Sequence, residues 1–118
     1  MIHVKRIYDQ PEKTDGYRIL VDRLWPRGLS KDQAKADVWL RDIAPSDKLR
    51  RWFSHDPNKW KGFQRKYNNE LKEKSVLIRK IKLIEKDKRV VTLLFSARDE
   101  KHNNVLVISD LLKKKELS

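Results

Sequence analysis

Hydrophobic and polar positions follow two different periods along this chain, and each period predicts a different element. Three runs have the apolar, β-branched composition of strands: His3–Tyr8, Tyr17–Leu24 and Val90–Phe95. Elsewhere apolar residues recur every three or four positions, which is typical of a helix with one buried face. Buried strands separated by helices predict an α/β fold.

Polar residues at the starts of these periodic segments predict where the helices begin. Ser30 and Gln33 fit a capping box, Ser46 fits an N-cap, and Pro57 suits a first helical position. A break near Ser75 either separates two helices or interrupts one. The apolar stripes, predicted to face the core, are Leu49, Trp52 and Phe53; Trp60, Phe63, Tyr67 and Leu71; Leu77, Ile78, Ile81 and Ile84; and Leu106, Ile108, Leu111 and Leu112.

The chain of 118 residues is long enough for one ordinary domain and too short for two. We expect a single compact α/β domain over 1–118, with a small, mostly parallel sheet flanked by helices. No helix is predicted between the first two strands. They could therefore form an antiparallel pair, which would make the sheet mixed. The pattern around Val38–Ile43 fits either a short strand or an irregular apolar segment.

Charged residues follow directly after the apolar residues of the second predicted strand. Ile19–Val21 is apolar without alternation, and Asp22 and Arg23 follow at once. Because neighbouring strand residues point to opposite faces, Asp22 and Arg23 cannot simply pair with each other. Each is expected to bind another group of the protein or a ligand.

A stiff turn follows this strand. Trp25 precedes a proline and is pushed toward extended backbone, Pro26 suits the second position of a turn, and Gly28 suits its close. The turn presents Arg27 close to Arg23 along the chain. The indole of Trp25 either lines a cleft or wedges the turn against the domain.

A second loop, 96–104, follows the strongest strand and leads into the last helix, which Asn103 or Asn104 can cap. Ligands of open α/β sheets bind beyond the carboxyl ends of the strands. Parallel neighbouring strands would bring Arg23, Arg27, Ser96 and Arg98 to one cleft suited to phosphate or carboxylate. In this hypothesis the arginines hold the anion, Asp22 orients an arginine or acts as acid or base, and Ser96 and Asn103 donate hydrogen bonds. The candidate ligand-binding residues are Asp22, Arg23, Trp25, Arg27, Gly28, Ser96, Arg98 and Asn103.

Other interpretations of the same residues stay open. Asp22 with Arg98, or Arg23 with Asp99, could form structural ion pairs that lock the loops. Ser96 could be a nucleophile with His102 as its base, but no nucleophile-elbow motif surrounds it. His3, His55 and His102 are scattered without the spacing of metal ligands; Asp99 and His102 could hold a metal, but a surface loop accounts for them as well, and no metal is predicted. No nucleotide-binding fingerprint is present, so no cofactor is predicted, and the residues define no reaction.

Composition narrows the function classes further. The absence of cysteine excludes disulfides and thiol nucleophiles, and no apolar run approaches membrane-spanning length. We therefore expect a cytoplasmic protein with no membrane partner. Residues 59–89 carry 12 basic and 4 acidic groups, and thus +8 of the net +12. This excess either solvates two surface helices or binds nucleic acid, for example through Lys61 and Arg65.

Two segments of the chain resemble the YeaO-like proteins, a family of unknown function in bacteria and archaea. The first is the stretch from Asp15 to Gly28, and the second runs from Thr92 to Asp99 with His102–Asn104. Shorter matches lie between them, so the resemblance covers nearly the whole chain: Pro45–Ser46, Leu49–Arg50, Trp52–Phe53, Phe63, Tyr67 and Glu70–Leu71. The resemblance implies a small cytoplasmic α/β protein with a Rossmann-like sheet and no established activity. High lysine content is not part of that family's pattern. The net charge of +12 is therefore a weaker clue to the family's shared function. In a third hypothesis, the motif loops are structural and the function depends on a protein partner.

Overall fold

Four parallel strands form one sheet in the computed structural model, which describes the backbone of residues 1–117 and the side chains of residues 1–114. The strands are β1 (Ile2–Arg6), β2 (Tyr17–Leu20), β3 (Val38–Trp39) and β4 (Val91–Phe95). Their order is β1-β4-β2-β3, so the last strand of the chain lies inside the sheet between the first two. Every residue of β4 is buried, as the uninterrupted apolar run predicts.

Five α-helices and three short 3-10 turns make up the rest of the fold. The helices are α1 (Lys31–Ala34), α2 (Asp47–Phe53), α3 (Trp60–Lys72), α4 (Ser75–Lys88) and α5 (Asn104–Leu117), and the turns are Lys13–Asp15, Arg41–Ile43 and Pro57–Lys59. The predicted caps are confirmed: the Ser30 hydroxyl accepts from the Gln33 amide and the Ser46 hydroxyl from the Leu49 amide. The break near Ser75 separates two helices.

The alternation of the inner strands divides the core into two clusters. Ile19 and Leu93 face the larger cluster, which helices α2 to α5 cover. Leu20 and Leu94 face a smaller cluster on the other side of the sheet, where Trp25 and Trp39 pack. The period of two along each strand thus assigns successive apolar residues to opposite faces. The α/β class predicted from the sequence is confirmed.

The structure decides between alternatives that the sequence left open in two places and corrects the prediction for one tryptophan. The first two strands form no antiparallel pair, because β4 lies between them and pairs in parallel with both. The segment Val38–Ile43 combines a two-residue strand with a 3-10 turn. Trp52 does not belong to the core: 37% of its surface is exposed, whereas Trp60 packs against the larger cluster. The indole of Trp52 lies instead on the outer side of α3, where lysines surround it.

Candidate functional site

The carboxyl ends of β2 and β4 lie side by side, because the two strands are parallel neighbours in register at Leu20 and Leu94. Asp22 follows the first strand and Ser96 follows the second. Asp22 Oδ2 accepts two hydrogen bonds from Ser96, one from its amide and one from its hydroxyl, each 2.8 Å long. The starts of the two loops therefore lie in contact at Asp22 and Ser96.

The carboxylate of Asp22 also connects the strand ends to α5. Asn104 Nδ2 donates to Asp22 Oδ1 at 3.2 Å and to the carbonyl of Val21 at 3.3 Å. The expectation that Asp22 needs a partner other than Arg23 is thus confirmed. Among the described residues its partners are neutral donors, and the predicted ion pair with Arg98 does not form.

Burial raises the pKa of the Asp22 carboxyl, and the hydrogen bonds from Ser96 and Asn104 offset the increase only in part. The charged form of this group is therefore less favoured in the folded chain than in the unfolded chain. Each unit of pKa difference corresponds to about 1.4 kcal/mol of folding free energy at pH values above both pKa values.

We expect the stability of the wild type relative to Asp22→Asn to fall as pH rises through this raised pKa. The fall begins near the ordinary aspartate pKa of about 3.9 and ends above the folded value, after which the difference is constant. Urea unfolding of both proteins between pH 3 and 7 measures this difference, because the other titrating groups cancel in the comparison. A difference that grows in the opposite direction would show that the hydrogen bonds, and not burial, control this carboxyl.

Arg23 forms no ion pair with Asp22 and binds the loop before α2. Its Nε and Nη2 donate to the carbonyl of Pro45 at 3.3 and 3.2 Å, and Nε lies 3.7 Å from Asp47 Oδ1. The same oxygen of Asp47 lies 3.2 Å from Nη2 of Arg50. Two guanidinium groups thus share one exposed carboxylate, and the predicted pair of Arg23 with Asp99 does not form. Arg50 lies in a part of the chain that resembles the family, but it was not among the predicted site residues, because its position on α2 does not show which loop it faces.

Long-range hydrogen bonds fix the loop that Arg23 contacts. The Tyr67 hydroxyl donates to the carbonyl of Ile43 at 2.6 Å, and Lys74 Nζ donates to the carbonyl of Ala44 at 2.8 Å. The amide of Ser46 donates to the Glu70 carboxylate at 2.9 Å. Helix α3 and the start of α4 therefore position the loop that faces the ends of β2 and β4.

A cavity of about 240 Å³ lies between this loop, the two strand ends and the start of α5. Its walls combine cationic, imidazole, amide and apolar groups. The lining residues are Asp22, Arg23, Leu24, Ala44, Pro45, Arg50, Phe53, His55, Phe63, Ser96, Ala97, His102, Asn103 and Asn104. The cavity thus gathers four of the eight sequence-predicted site residues: Asp22, Arg23, Ser96 and Asn103.

The other four predicted site residues lie outside the cavity lining. Trp25 Nε1 donates to the carbonyl of Leu29 at 2.7 Å, and its ring meets Trp39 edge-on at 5.4 Å in the smaller core cluster. Arg27 and Gly28 lie on the exposed turn, where the carbonyl of Arg27 accepts from the Tyr8 hydroxyl at 2.9 Å. Arg98 is also exposed. After Leu24, which still lines the cavity, the chain turns so that Trp25 packs in the smaller core cluster, and Arg27 follows outside the cavity lining.

The apolar wall of the cavity comes from α2 and α3. The rings of Phe53 and Phe63 stack with centroids 4.4 Å apart and planes 12° apart. His55 follows α2 with φ of 55°, next to Ser54 with φ of 46°. Two successive non-glycine residues in left-handed backbone are unusual, and such strain concentrates at functional sites. The sequence analysis assigned the phenylalanines to the core and gave His55 no role.

The second histidine of the cavity is held by an acidic neighbour. His102 Nδ1 lies 2.9 Å from Asp99 Oδ2, and its ring meets Trp60 edge-on at 5.4 Å. The hydrogen bond from His102 lowers the pKa of the Asp99 carboxyl. The Ser96 hydroxyl donates to Asp22, and no hydrogen bond joins Ser96 to His102 within residues 1–114. The geometry therefore does not provide Ser96 with a base.

Asn103 serves as the cap of α5. Its Oδ1 accepts from the amide of Leu106 at 3.2 Å, and its Nδ2 donates to the carbonyl of Asp99 at 2.9 Å. Both ends of this side chain are thus used within the protein. In the described part of the chain no group of three or more His, Cys, Asp or Glu residues is arranged to hold a metal ion.

Comparison of the sequence with known proteins identifies the family of this chain. A family model described as the inactive DUF488-N3 subclade matches residues 1–117. The chain is 41% identical to the uncharacterized protein YeaO of Escherichia coli K12 over 112 residues, which covers 95% of this chain and 96% of the relative. It is 35% identical to the uncharacterized protein Rv3073c of Mycobacterium tuberculosis H37Rv over 111 residues, covering 94% of this chain and 92% of the relative.

No solved structure matches the chain. None of the described helices combines the length and the apolar character needed to cross a membrane. The family match and the relatives both extend over nearly the whole chain and include both strand-end loops. The chain therefore belongs to the YeaO-like proteins of the inactive DUF488-N3 subclade.

Proposed function

We propose that this protein binds a small organic anion in the cavity at the carboxyl ends of β2 and β4. The ligand combines one flat apolar ring with one carboxylate or phosphate group. The observation that carries the proposal is the pairing, in one cavity, of two guanidinium groups with a wall of stacked phenyl rings. The position agrees with the general location of ligand sites in parallel α/β sheets.

The charges of the cavity favour an anion. Arg23 and Arg50 line it, and the carboxylate of Asp22 already accepts three hydrogen bonds from the protein. The contacts of Arg23 use Nε and Nη2, and Nη1 has no hydrogen bond to any described residue. The ion pairs to Asp47 are weak, because 57% of that side chain is exposed. An anionic ligand can therefore share both guanidinium groups with Asp47.

The size and the walls of the cavity favour a small ligand with a flat ring. Its volume of about 240 Å³ lies below the range of about 300–1,000 Å³ typical of sites for drug-sized molecules. Phe53 and Phe63 offer an apolar surface, and His55 and His102 add imidazole groups. A single ring with one acidic group fits this combination better than a nucleotide does.

Binding is supported over catalysis by two observations. The hydroxyl of Ser96 donates to a carboxylate that also holds α5, which is a structural arrangement. The matching family is itself described as inactive. The turn around Trp25 and Arg27 serves the smaller core cluster in this proposal, which gives that part of the motif a structural role.

The test is titration calorimetry with benzoate and phenyl phosphate, using inorganic phosphate and neutral benzamide for comparison. We expect Arg50→Gln to weaken binding of the best anionic probe about tenfold or more, since a hydrogen bond to a charged group contributes about 1.5–3 kcal/mol. Arg51→Gln is the matched control, because Arg51 is an exposed neighbour on α2 outside the cavity lining.

The outcomes separate the parts of this proposal. Equal losses in the Arg50 and Arg51 variants would show general charge attraction and would contradict a site in the cavity. Benzamide binding as tightly as benzoate would contradict the role of the guanidinium groups. If none of the four probes binds at millimolar concentration, the proposed ligand class is wrong.

A further inference from the structure

Trp52 lies on the outside of α2 and α3, and 37% of its surface is exposed. A tryptophan that belongs to the core is much more deeply buried than this. Two ammonium groups contact the Trp52 ring: Lys59 Nζ is 5.2 Å and Lys66 Nζ is 4.8 Å from the ring centroid. Lys59 Nζ also donates to the carbonyl of Trp52 at 2.9 Å. We call the surface formed by Trp52, Lys59 and Lys66 the Trp52 surface.

Helix α3 is built to receive this ring. Lys59, Gly62 and Lys66 follow one another at spacings of three and four, so they lie along one side of the helix and its first turn. A Cβ added at Gly62 would lie 2.8 Å from the Cη2 atom of Trp52. The glycine thus leaves room for the edge of the indole, and the two lysines flank it.

The positive charge around the Trp52 surface is not neutralised by neighbouring carboxylates. Neither Lys59 nor Lys66 forms an ion pair with a described residue, and the same holds for Lys61 and Arg65 on α3. Lys61, Arg65 and Lys66 are all exposed. A cationic surface with an exposed aromatic ring at its centre therefore faces solvent.

We propose that the Trp52 surface binds single-stranded nucleic acid. Proteins that bind single strands combine aromatic rings, on which bases stack, with cations that follow the phosphate backbone. The indole of Trp52 supplies the stacking group when a lysine side chain moves aside, and the ammonium groups contact phosphates. The interior of a nucleic-acid duplex and acidic peptides offer the charge without an accessible base, so both are weaker partners. This inference is independent of the proposed cavity ligand.

The test uses fluorescence anisotropy with a fluorescein-labelled 20-residue oligothymidylate and the full-length protein. We expect Trp52→Leu to weaken binding about 5- to 150-fold, which corresponds to the loss of one base–aromatic contact. The slope of log affinity against log salt concentration should stay near the wild-type value in this variant, since no charge is removed. Trp52→Phe should retain part of the affinity because it keeps a smaller ring.

Lysine variants test the electrostatic part of the same surface. Lys66→Gln should reduce the magnitude of the salt slope by about 0.7, the value for one phosphate contact on a single strand. Lys80→Gln on α4 is the matched control, because Lys80 is an exposed lysine distant in sequence from the Trp52 surface. If Trp52→Leu is misfolded by circular dichroism, the Phe and Lys66 variants carry the test.

Several results would overturn the inference. Unchanged affinity in Trp52→Leu would exclude stacking on this ring. Equal effects of Lys66→Gln and Lys80→Gln would show a general polyanion attraction of the charged protein. Equal competition by polyglutamate and by unlabelled oligothymidylate would show that the surface recognises charge alone, as an acidic protein partner would require.

Discussion

Replacing Arg18 with methionine is expected to lower the free energy of unfolding by about 3 kcal/mol, the low end of the range for breaking a buried ion pair. Only 6% of the Arg18 side chain and 8% of the Asp15 side chain are exposed. The guanidinium pairs with the Asp15 carboxylate and donates to the carbonyls of Ala34 and Lys35, each at 2.9 Å. Methionine fills similar space but leaves these acceptors without their donor.

The loss is not larger because Asp15 keeps other partners. Lys5 Nζ donates to Asp15 Oδ1 at 3.1 Å, and the amide of Glu12 donates to Oδ2 at 3.0 Å. Burial raises the pKa of the Asp15 carboxyl, but the hydrogen bonds from Glu12, Lys5 and Arg18 outweigh it, and the pKa lies below its ordinary value. The carboxylate therefore stays charged at neutral pH and must be compensated in the folded state.

Denaturant unfolding followed by circular dichroism measures the effect, with Arg27→Met as the matched control. Arg27 is exposed, so its replacement should change the unfolding free energy by no more than about 0.5 kcal/mol. In the double variant Asp15→Asn/Arg18→Met the loss should be smaller than the sum of the single losses, because each single change leaves a buried partner behind. Equal stabilities for Arg18→Met and Arg27→Met would contradict a stabilising role for the buried pair.

The substitution Gly16→Ala is expected to cost about 3 kcal/mol or more, through backbone conformation and through a direct clash. Gly16 has φ of 65° and ψ of −135°, a region that is nearly restricted to glycine. A Cβ at this position would lie 2.4 Å from the carbonyl oxygen of Val90 and 2.7 Å from its Cβ. The carbonyl cannot easily retreat, because it accepts from the Tyr17 amide at 2.9 Å where β2 meets β4.

Gly28→Ala is the matched control for the clash. Gly28 has φ of 77°, but a Cβ there would meet no atom within 4 Å. This variant should therefore lose only the conformational part, about 1–2 kcal/mol. Thermal and denaturant unfolding of both variants separate the two contributions. If the two alanine variants are equally stable, the close approach of Gly16 to Val90 is not a constraint on the fold.

Patterns among neighbouring residues were sufficient to predict the elements that depend only on neighbouring residues. The apolar run of β4 and the caps at Ser30 and Ser46 depend on residues within a few positions of each other, and the structure confirms them. The long motif and the family it indicates are likewise readable in the residues, and the comparisons confirm the family. The predicted strand Tyr17–Leu24 is too long: β2 ends at Leu20, so Asp22 and Arg23 lie in the loop, where their partners and not strand alternation separate them.

Periodicity was insufficient where contacts between distant segments decide the outcome. The stripe of α2 placed Trp52 in the core, but the docking of α3, with Gly62 facing the ring, leaves the indole at the surface. Arg18 lies in a strand between apolar residues, and its burial is explained by the Asp15 carboxylate together with the carbonyls at the end of α1, which only the fold brings to it. A charged or an aromatic side chain is compatible with both a buried and an exposed position. The neighbouring residues in the sequence therefore do not determine which of the two positions it takes.

Some residues of the candidate site could likewise be predicted from the sequence, and others only from the tertiary structure. From the sequence it follows that two loops leave buried strands and that Asp22, Arg23 and Ser96 lie at their starts, whereas the adjacency of the two strands was assumed and is supplied by the sheet order. The tertiary structure alone decided that the chain beyond Leu24 turns so that Trp25 packs in the smaller core cluster, and that Arg50 and His55 enter the cavity instead of Arg27 and Arg98. The reason is physical: strand periodicity acts over neighbouring residues, whereas the direction of a loop is set by the core against which its apolar side chains pack, here Trp25 against Trp39.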